Sequence, residues 1–159
     1  MSKSKHESAV LKEFLNALDK NKYSSCSIKS RKPPEPDLLI SFSGNEEYFE
    51  LARILDKSLI PLRLLALKIA PKLVKVDVTK FGLPERDIVK AKLCKNYETN
   101  SKSLSLLLYY DKGIYFNGIP PIDPTVFYND IVKPLLISDI KFKKVFIFDR
   151  NTQNILWNN

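Results

Sequence analysis

The sequence predicts a single α/β domain, a mixed β-sheet flanked by helices, spanning residues 1–159, and three observations point to it. The chain has 159 residues, a length that suits one domain and suffices to bury a working core. Apolar stripes at helical spacing alternate with short apolar runs of strand length. One such run, Leu104-Ser105-Leu106-Leu107-Leu108-Tyr109-Tyr110, is nearly unbroken, the pattern of a central strand covered on both faces.

Taken in order, His6 to Lys20 reads as a helix whose stripe is Val10, Leu11, Phe14, Leu15 and Leu18. Asn21 to Pro36 is polar and carries Pro33, Pro34 and Pro36, so an extended connection is predicted there. A hairpin follows: Leu38 to Phe42 outward, turn residues Ser43-Gly44-Asn45, and Tyr48 to Leu55 returning. Pro61 to Ala70 fits strand or helix equally. Val74 to Val78 alternates with period two and reads as a strand. Pro84 suits a helix first turn, with the helix running to about Tyr97. Asp123-Pro124 opens a further helix to about Leu136, and Phe142 to Phe148 with Asn154 to Trp157 form a closing strand pair.

A hydrophobic fraction of 44% is that of a folded globule, and no apolar run is long enough to span a membrane. The charged N-terminus lacks a signal-peptide core, so a cytoplasmic location is expected and no membrane partner. Cys26 and Cys94 are too few for a disulfide scaffold or a zinc site and read as reduced, structural thiols. One histidine in the chain leaves no room for a histidine-based triad or a multi-histidine metal site. Carboxylate oxygens are then the remaining metal donors, and they favour hard ions, Mg2+ or Mn2+. The net charge of +8 makes a polyanion, above all a nucleic acid, a sensible partner.

Asp37 and Glu50 stand 13 positions apart with the turn near their midpoint. With Gly44-Asn45 as a two-residue loop, Leu39 faces Glu50 and Asp37 faces Ala52. The two carboxylates then lie within about two residues of direct opposition, within reach of one ion. Alternation places Tyr48, Glu50, Ala52 and Ile54 on one face, so Glu50 stands among apolar neighbours. A cation would relieve that burial; so would pairing with a lysine or arginine. Glu7 belongs to the apolar stripe of the first helix and has two readings. It is a third acid of the same site, or a first-turn acid that complements the helix dipole.

At these residues the chain resembles the PD-(D/E)XK nuclease superfamily, whose fold is restriction-endonuclease-like. The resemblance rests on Glu35-Pro36-Asp37 opening one strand, Phe49-Glu50-Leu51 in the next, Glu7 on a preceding helix, and the element order over about the first 110 residues. It implies Asp37, Glu50 and the Leu51 carbonyl as ligands of Mg2+ or Mn2+, with the segment from Phe142 a peripheral strand addition. The family's catalytic lysine falls at Ala52, which can neither orient nor deprotonate water. Lys92 and Lys95, one turn apart on the helix after Pro84, are the candidate replacements; a solvated basic face is their other reading.

The expected function is a metal-dependent endonuclease hydrolysing phosphodiester bonds in DNA, with Lys29, Arg31 and Lys32 as candidate phosphate contacts. Double-strand cleavage from a single-strand site calls for a homodimer or larger homo-oligomer. The alternative is a catalytically inactive nuclease-like domain that binds nucleic acid or a protein partner, and metal binding discriminates the two.

Overall fold

Of the stripe predicted for the first helix, Val10, Leu11, Phe14 and Leu15 are buried in α1 (Lys3–Tyr23) against one face of a β-sheet, and Leu18 is partly buried beside them. In this computed structural model the described residues are 2–54, 84–99, 103–111 and 141–158, with positions 129 and 133. The predictions for Pro61 to Ala70, Val74 to Val78 and the helix from Asp123 to Leu136 lie outside them, apart from those two positions.

The described strands are β1 (Ser27–Ser30), β2 (Leu38–Phe42), β3 (Asn45–Arg53), β4 (Leu104–Tyr110), β5 (Lys144–Asp149) and β6 (Asn154–Asn158). They form one sheet in sequence order. The β3–β4 and β4–β5 pairs are parallel and the remaining pairs antiparallel, so the sheet is mixed. With helices packed against it, this is the predicted α/β class. All seven residues of β4 are buried, as its unbroken apolar run requires of a strand paired on both edges and covered on both faces.

Alternation divides the core in two. Phe49, Leu51, Leu107, Tyr109, Phe146 and Phe148 face α1. Ala52, Ile54, Leu104, Leu106, Leu108 and Val145 face the other way, toward Val89 and Leu93 of α2 (Pro84–Leu93). Phe14 is the keystone of the α1 face, with ring centroids 4.9 Å from Phe146, 5.8 Å from Phe148 and 6.1 Å from Phe49. Arg150 fixes the same helix electrostatically: its guanidinium grips Glu13 of α1 at 2.7 and 2.9 Å and Asp111 at 2.5 Å. Arg150 thus ties the ends of β4 and β5 to α1, and His6 Nε2 lies 3.1 Å from the other oxygen of Asp111.

Four expectations need correction. The segment from Asn21 is not wholly an extended connection: α1 continues to Tyr23, and β1 then pairs with β2 as an edge strand. The extra turn exists because Asp19 leaves helical geometry (φ −163, ψ 93) and its carboxylate accepts a hydrogen bond from the Lys22 amide at 3.0 Å, capping a new turn. Tyr23 then packs its ring 4.9 Å from Phe42. The helix from Pro84 ends at Leu93, not near Tyr97. Lys141 donates to the carbonyls of Leu93 and Lys95 there, satisfying acceptors that a continuing helix would have used. The segment from Phe142 is no peripheral addition, since β5 lies inside the sheet with five of its six residues buried. Finally, Cys94 is exposed and takes no part in packing, whereas Cys26 is half-buried at the rim of the α1 core; both are free thiols.

Candidate functional site

The hairpin turn decides the geometry of the acidic pair. Ser43 and Gly44 both adopt positive φ, 47° and 77°, so these two residues form the loop and Phe42 pairs with Asn45. Two consecutive residues of that sign match the right-handed twist of the flanking strands. The expected loop, Gly44-Asn45, is therefore one residue out, which moves the strand pairing by two. Leu38 faces Phe49 and Leu39 faces Tyr48. Continuing that register sets Asp37 directly opposite Glu50 rather than Ala52, so the carboxylates are closer than the sequence suggested.

Hydrogen bonds lock this opposition from both sides. Glu50 Oε2 accepts from the Asp37 amide at 3.2 Å, and Asp37 Oδ2 accepts from the Leu51 amide at 2.9 Å. The approach to Asp37 is pinned as well, by the Arg31 amide on the Asp37 carbonyl (2.9 Å) and the Glu98 amide on the Pro34 carbonyl (3.1 Å). Glu50 is 1% exposed and points to the α2 face, as alternation predicted.

A buried carboxylate needs a partner, and α2 supplies two. Lys92 shares the helix face of Ile88 and Val89 and places Nζ 2.5 Å from Glu50 Oε1 and 3.8 Å from Asp37 Oδ2. Lys95, just beyond the helix, approaches the same Glu50 oxygen at 3.1 Å. Burial pushes the Glu50 carboxyl up, but the two ammonium groups together outweigh it and hold it below its ordinary 4.5. Burial lowers Lys95 in turn, and Glu50 and Asp37 more than offset that, leaving it raised. Lys92 and Lys95 are thus brought onto the acidic pair across more than forty residues of sequence; the solvated-face reading does not describe Lys92, whereas Lys95 keeps one side open to solvent.

Tyr97 was not foreseen. Its hydroxyl donates to the Lys92 carbonyl at 3.2 Å, and its ring packs 5.9 Å from Phe142. Burial, followed by the nearby charges of Glu50 and Asp37, drives the phenol far upward, so it stays protonated beside the pair. The residue stands in an irregular segment with no periodicity, and nothing in the sequence marks it.

Glu7 faces inward and is buried, as its place in the stripe implied. The dipole reading fails because α1 begins at Lys3, which puts Glu7 beyond the first turn. Its ion-pair partner is Lys3, at 3.4 Å. Among the described residues no three His, Cys, Asp or Glu side chains are grouped closely enough to hold an ion, so Glu7 does not complete a three-acid cluster with Asp37 and Glu50. Burial and then the charge of Asp37 raise its carboxyl above 4.5, against the pull of Lys3 and Lys92. A raised acid favours the fold fully below its unfolded value, and that contribution is lost as pH rises through the folded value. Glu7→Gln should therefore stabilise the protein by about 0.5 kcal/mol at pH 7, with the gain vanishing toward pH 4, measured by urea unfolding across that range.

Lys29 lies on edge strand β1 and Lys32 in the following turn, both exposed. Arg31 differs: it is half-buried and its guanidinium pairs with Glu35, so it is not a free phosphate contact. Arg53 points to the α1 face and pairs with Asp111 at 3.7 Å. No helix among the described residues is long and apolar enough to cross a membrane.

The donor chemistry of Asp37 and Glu50, two carboxylates with the Leu51 carbonyl alongside in sequence, suits a hard divalent ion. No protein-family model and no curated protein matches the chain. Among solved structures it is similar to an XisH family protein from Nostoc punctiforme PCC 73102, at 14% identity and a TM-score of 0.37, over 92% of this chain and 95% of that one. So distant a likeness leaves the chemistry to be argued from the residues themselves.

Proposed function

We propose that the chain is a metal-dependent endonuclease that hydrolyses phosphodiester bonds in DNA. The observation that carries this reading is a 1%-exposed carboxylate, Glu50 on β3, locked opposite Asp37 at the entry to β2 with two lysines converging on it. Asp37, Glu50 and the Leu51 carbonyl would hold Mg2+ or Mn2+, which when bound supplies an activated water and stabilises charge on the phosphoryl oxygens.

The chain's own groups account for the rest. Carboxylates at a strand and a strand entry, fixed by backbone hydrogen bonds, are themselves preorganised. Lys92 substitutes spatially for the lysine missing at Ala52: from the helix it can donate to an attacking water or a non-bridging phosphate oxygen. Lys95, half-exposed, is placed to meet a neighbouring phosphate, and Tyr97 adds a neutral donor. Lys29 and Lys32 would extend the phosphate-binding surface, within a net charge of +8. Cutting both strands would require a homodimer or larger homo-oligomer.

A second reading, an inactive nuclease-like domain that keeps nucleic-acid or protein binding, is favoured by Ala52 together with the internal pairing of the carboxylates. Incubation with supercoiled plasmid and Mg2+ or Mn2+ separates the two. The wild type should nick or linearise the plasmid. Asp37→Ala should lower the rate at least about 1,000-fold with duplex binding intact, and Lys92→Met should slow it by roughly 100-fold. Saturable metal binding with normal cutting by Asp37→Ala would refute the site; no cutting by the wild type would favour the second reading.

A further inference from the structure

The Lys92 ammonium occupies the position between Glu50 and Asp37 that a shared cation would take, 2.5 Å from one carboxylate and 3.8 Å from the other. Lys95 adds a second ammonium on the same Glu50 oxygen at 3.1 Å. The acidic pair therefore carries its own tethered counter-ions. A divalent ion cannot reach Glu50 Oε1 at ligand distance, which is near 2 Å for magnesium, while Lys92 stays where it is. Either the lysines leave, or the ion is held away.

We propose that Lys92 and Lys95 are a cation gate: they close the acidic pair when no polyanion is present, and move onto phosphate groups when one is, so that phosphate-backbone binding and divalent-ion binding promote each other. This rests on the reading of Asp37 and Glu50 as cation ligands and adds the regulation of that site. The two lysines differ in a way that suits the role. Lys95, at 52% exposed, is open to an incoming phosphate, whereas Lys92, at 15%, lies deeper and borders both acids. A phosphate that draws Lys95 away leaves Glu50 Oε1 with one ammonium instead of two. A second phosphate oxygen can then compete for Lys92. What replaces the lost positive charge on the carboxylates is the metal ion. Coupling of this kind is reciprocal: whatever factor the polyanion adds to metal affinity, the metal adds to polyanion affinity. The lysine stems also permit it, because the ammonium is a point charge on a rotatable chain and its backbone need not move. That backbone is held by Lys141 on the Leu93 and Lys95 carbonyls and by Tyr97 on the Lys92 carbonyl.

The test is calorimetric titration of Mn2+ into the full chain, with and without a short DNA duplex, for the wild type, Lys92→Gln, the Lys92→Gln/Lys95→Gln double variant, and Glu50→Ala as the blank. The wild type should bind Mn2+ at least about tenfold more tightly with duplex present. The double variant should bind it at least about tenfold more tightly than the wild type without duplex, and duplex should change that affinity by less than about twofold. Lys92→Gln alone should fall between. Should the double variant fail to fold, the single variant and the reciprocal measurement in the wild type, duplex affinity with and without Mn2+, decide the matter. Wild-type binding that is lost in Glu50→Ala but unaltered by duplex and by the lysine substitutions overturns the gate and leaves the metal site standing. Absence of Mn2+ binding in every protein, with and without duplex, overturns both.

Discussion

Glu50→Ala should lower the unfolding free energy by about 3 kcal/mol and abolish saturable Mn2+ binding. The substitution removes one partner of an ion pair whose members are 1% and 15% exposed. Lys92 is then left with Asp37 at 3.8 Å as its nearest acid, and the Asp37 amide loses the acceptor it has at 3.2 Å. Breaking a buried pair from one side strands a charge, which typically costs about 3–5 kcal/mol. The lower end applies because Lys92 can turn toward Asp37 and Lys95 can retreat into solvent. The companion double variant Glu50→Leu/Lys92→Met should recover most of the loss, since replacing both members with apolar groups leaves no stranded charge and only the Asp37 amide without its acceptor. Urea unfolding of the wild type, Glu50→Ala and the double variant checks it. A loss below about 1 kcal/mol for Glu50→Ala would mean that water screens the pair as at a surface, and the site would not be dry.

Phe14→Ala should destabilise by about 4 kcal/mol, the largest effect expected of any single truncation on the α1 side. The ring has no solvent exposure and meets Phe49, Phe146 and Phe148. Its loss opens a cavity among side chains anchored in β3 and β5, which backbone pairing prevents from collapsing inward. Phe14→Leu should cost about 1.5 kcal/mol because most of the volume is retained. The effect also reaches the site, because Phe49 precedes Glu50 on β3. Urea midpoints with an unchanged slope give the comparison; equal losses for the two variants would show that the pocket relaxes around a smaller residue.

The elements with strong local signals were legible. The α1 stripe, the two hairpin strands, the Pro84 helix start and the closing strand pair all follow from periodicity or turn chemistry. The uniform burial of Leu104 to Tyr110 follows from composition alone. Alternation correctly put Glu50 on the same face as Ala52 and Ile54, and the inward face of Glu7 follows from its spacing to Leu11 and Phe14. Where two local choices were nearly equal in energy, the sequence left the outcome open. Gly44-Asn45 and Ser43-Gly44 are both acceptable two-residue loops, and the second makes Phe42, which packs on Tyr23, the closing partner of Asn45.

By itself, then, the sequence determined the class of fold, the strand and helix that carry Glu50 and Lys92, and the placement of two acids around one turn. These are properties of spacing within a few residues, and a period of two or 3.6 fixes them. Only the tertiary structure decided that Asp37 stands directly opposite Glu50, that Lys92 and Lys95 close on them, and that Tyr97 joins the group. It likewise decided that Arg150 binds α1. Each of these depends on contacts between residues tens of positions apart, where the burial of a charge selects its partner from everything the fold brings near. A carboxylate sealed in a sheet must find a cation, and the chain does not say which until α2 lies across it.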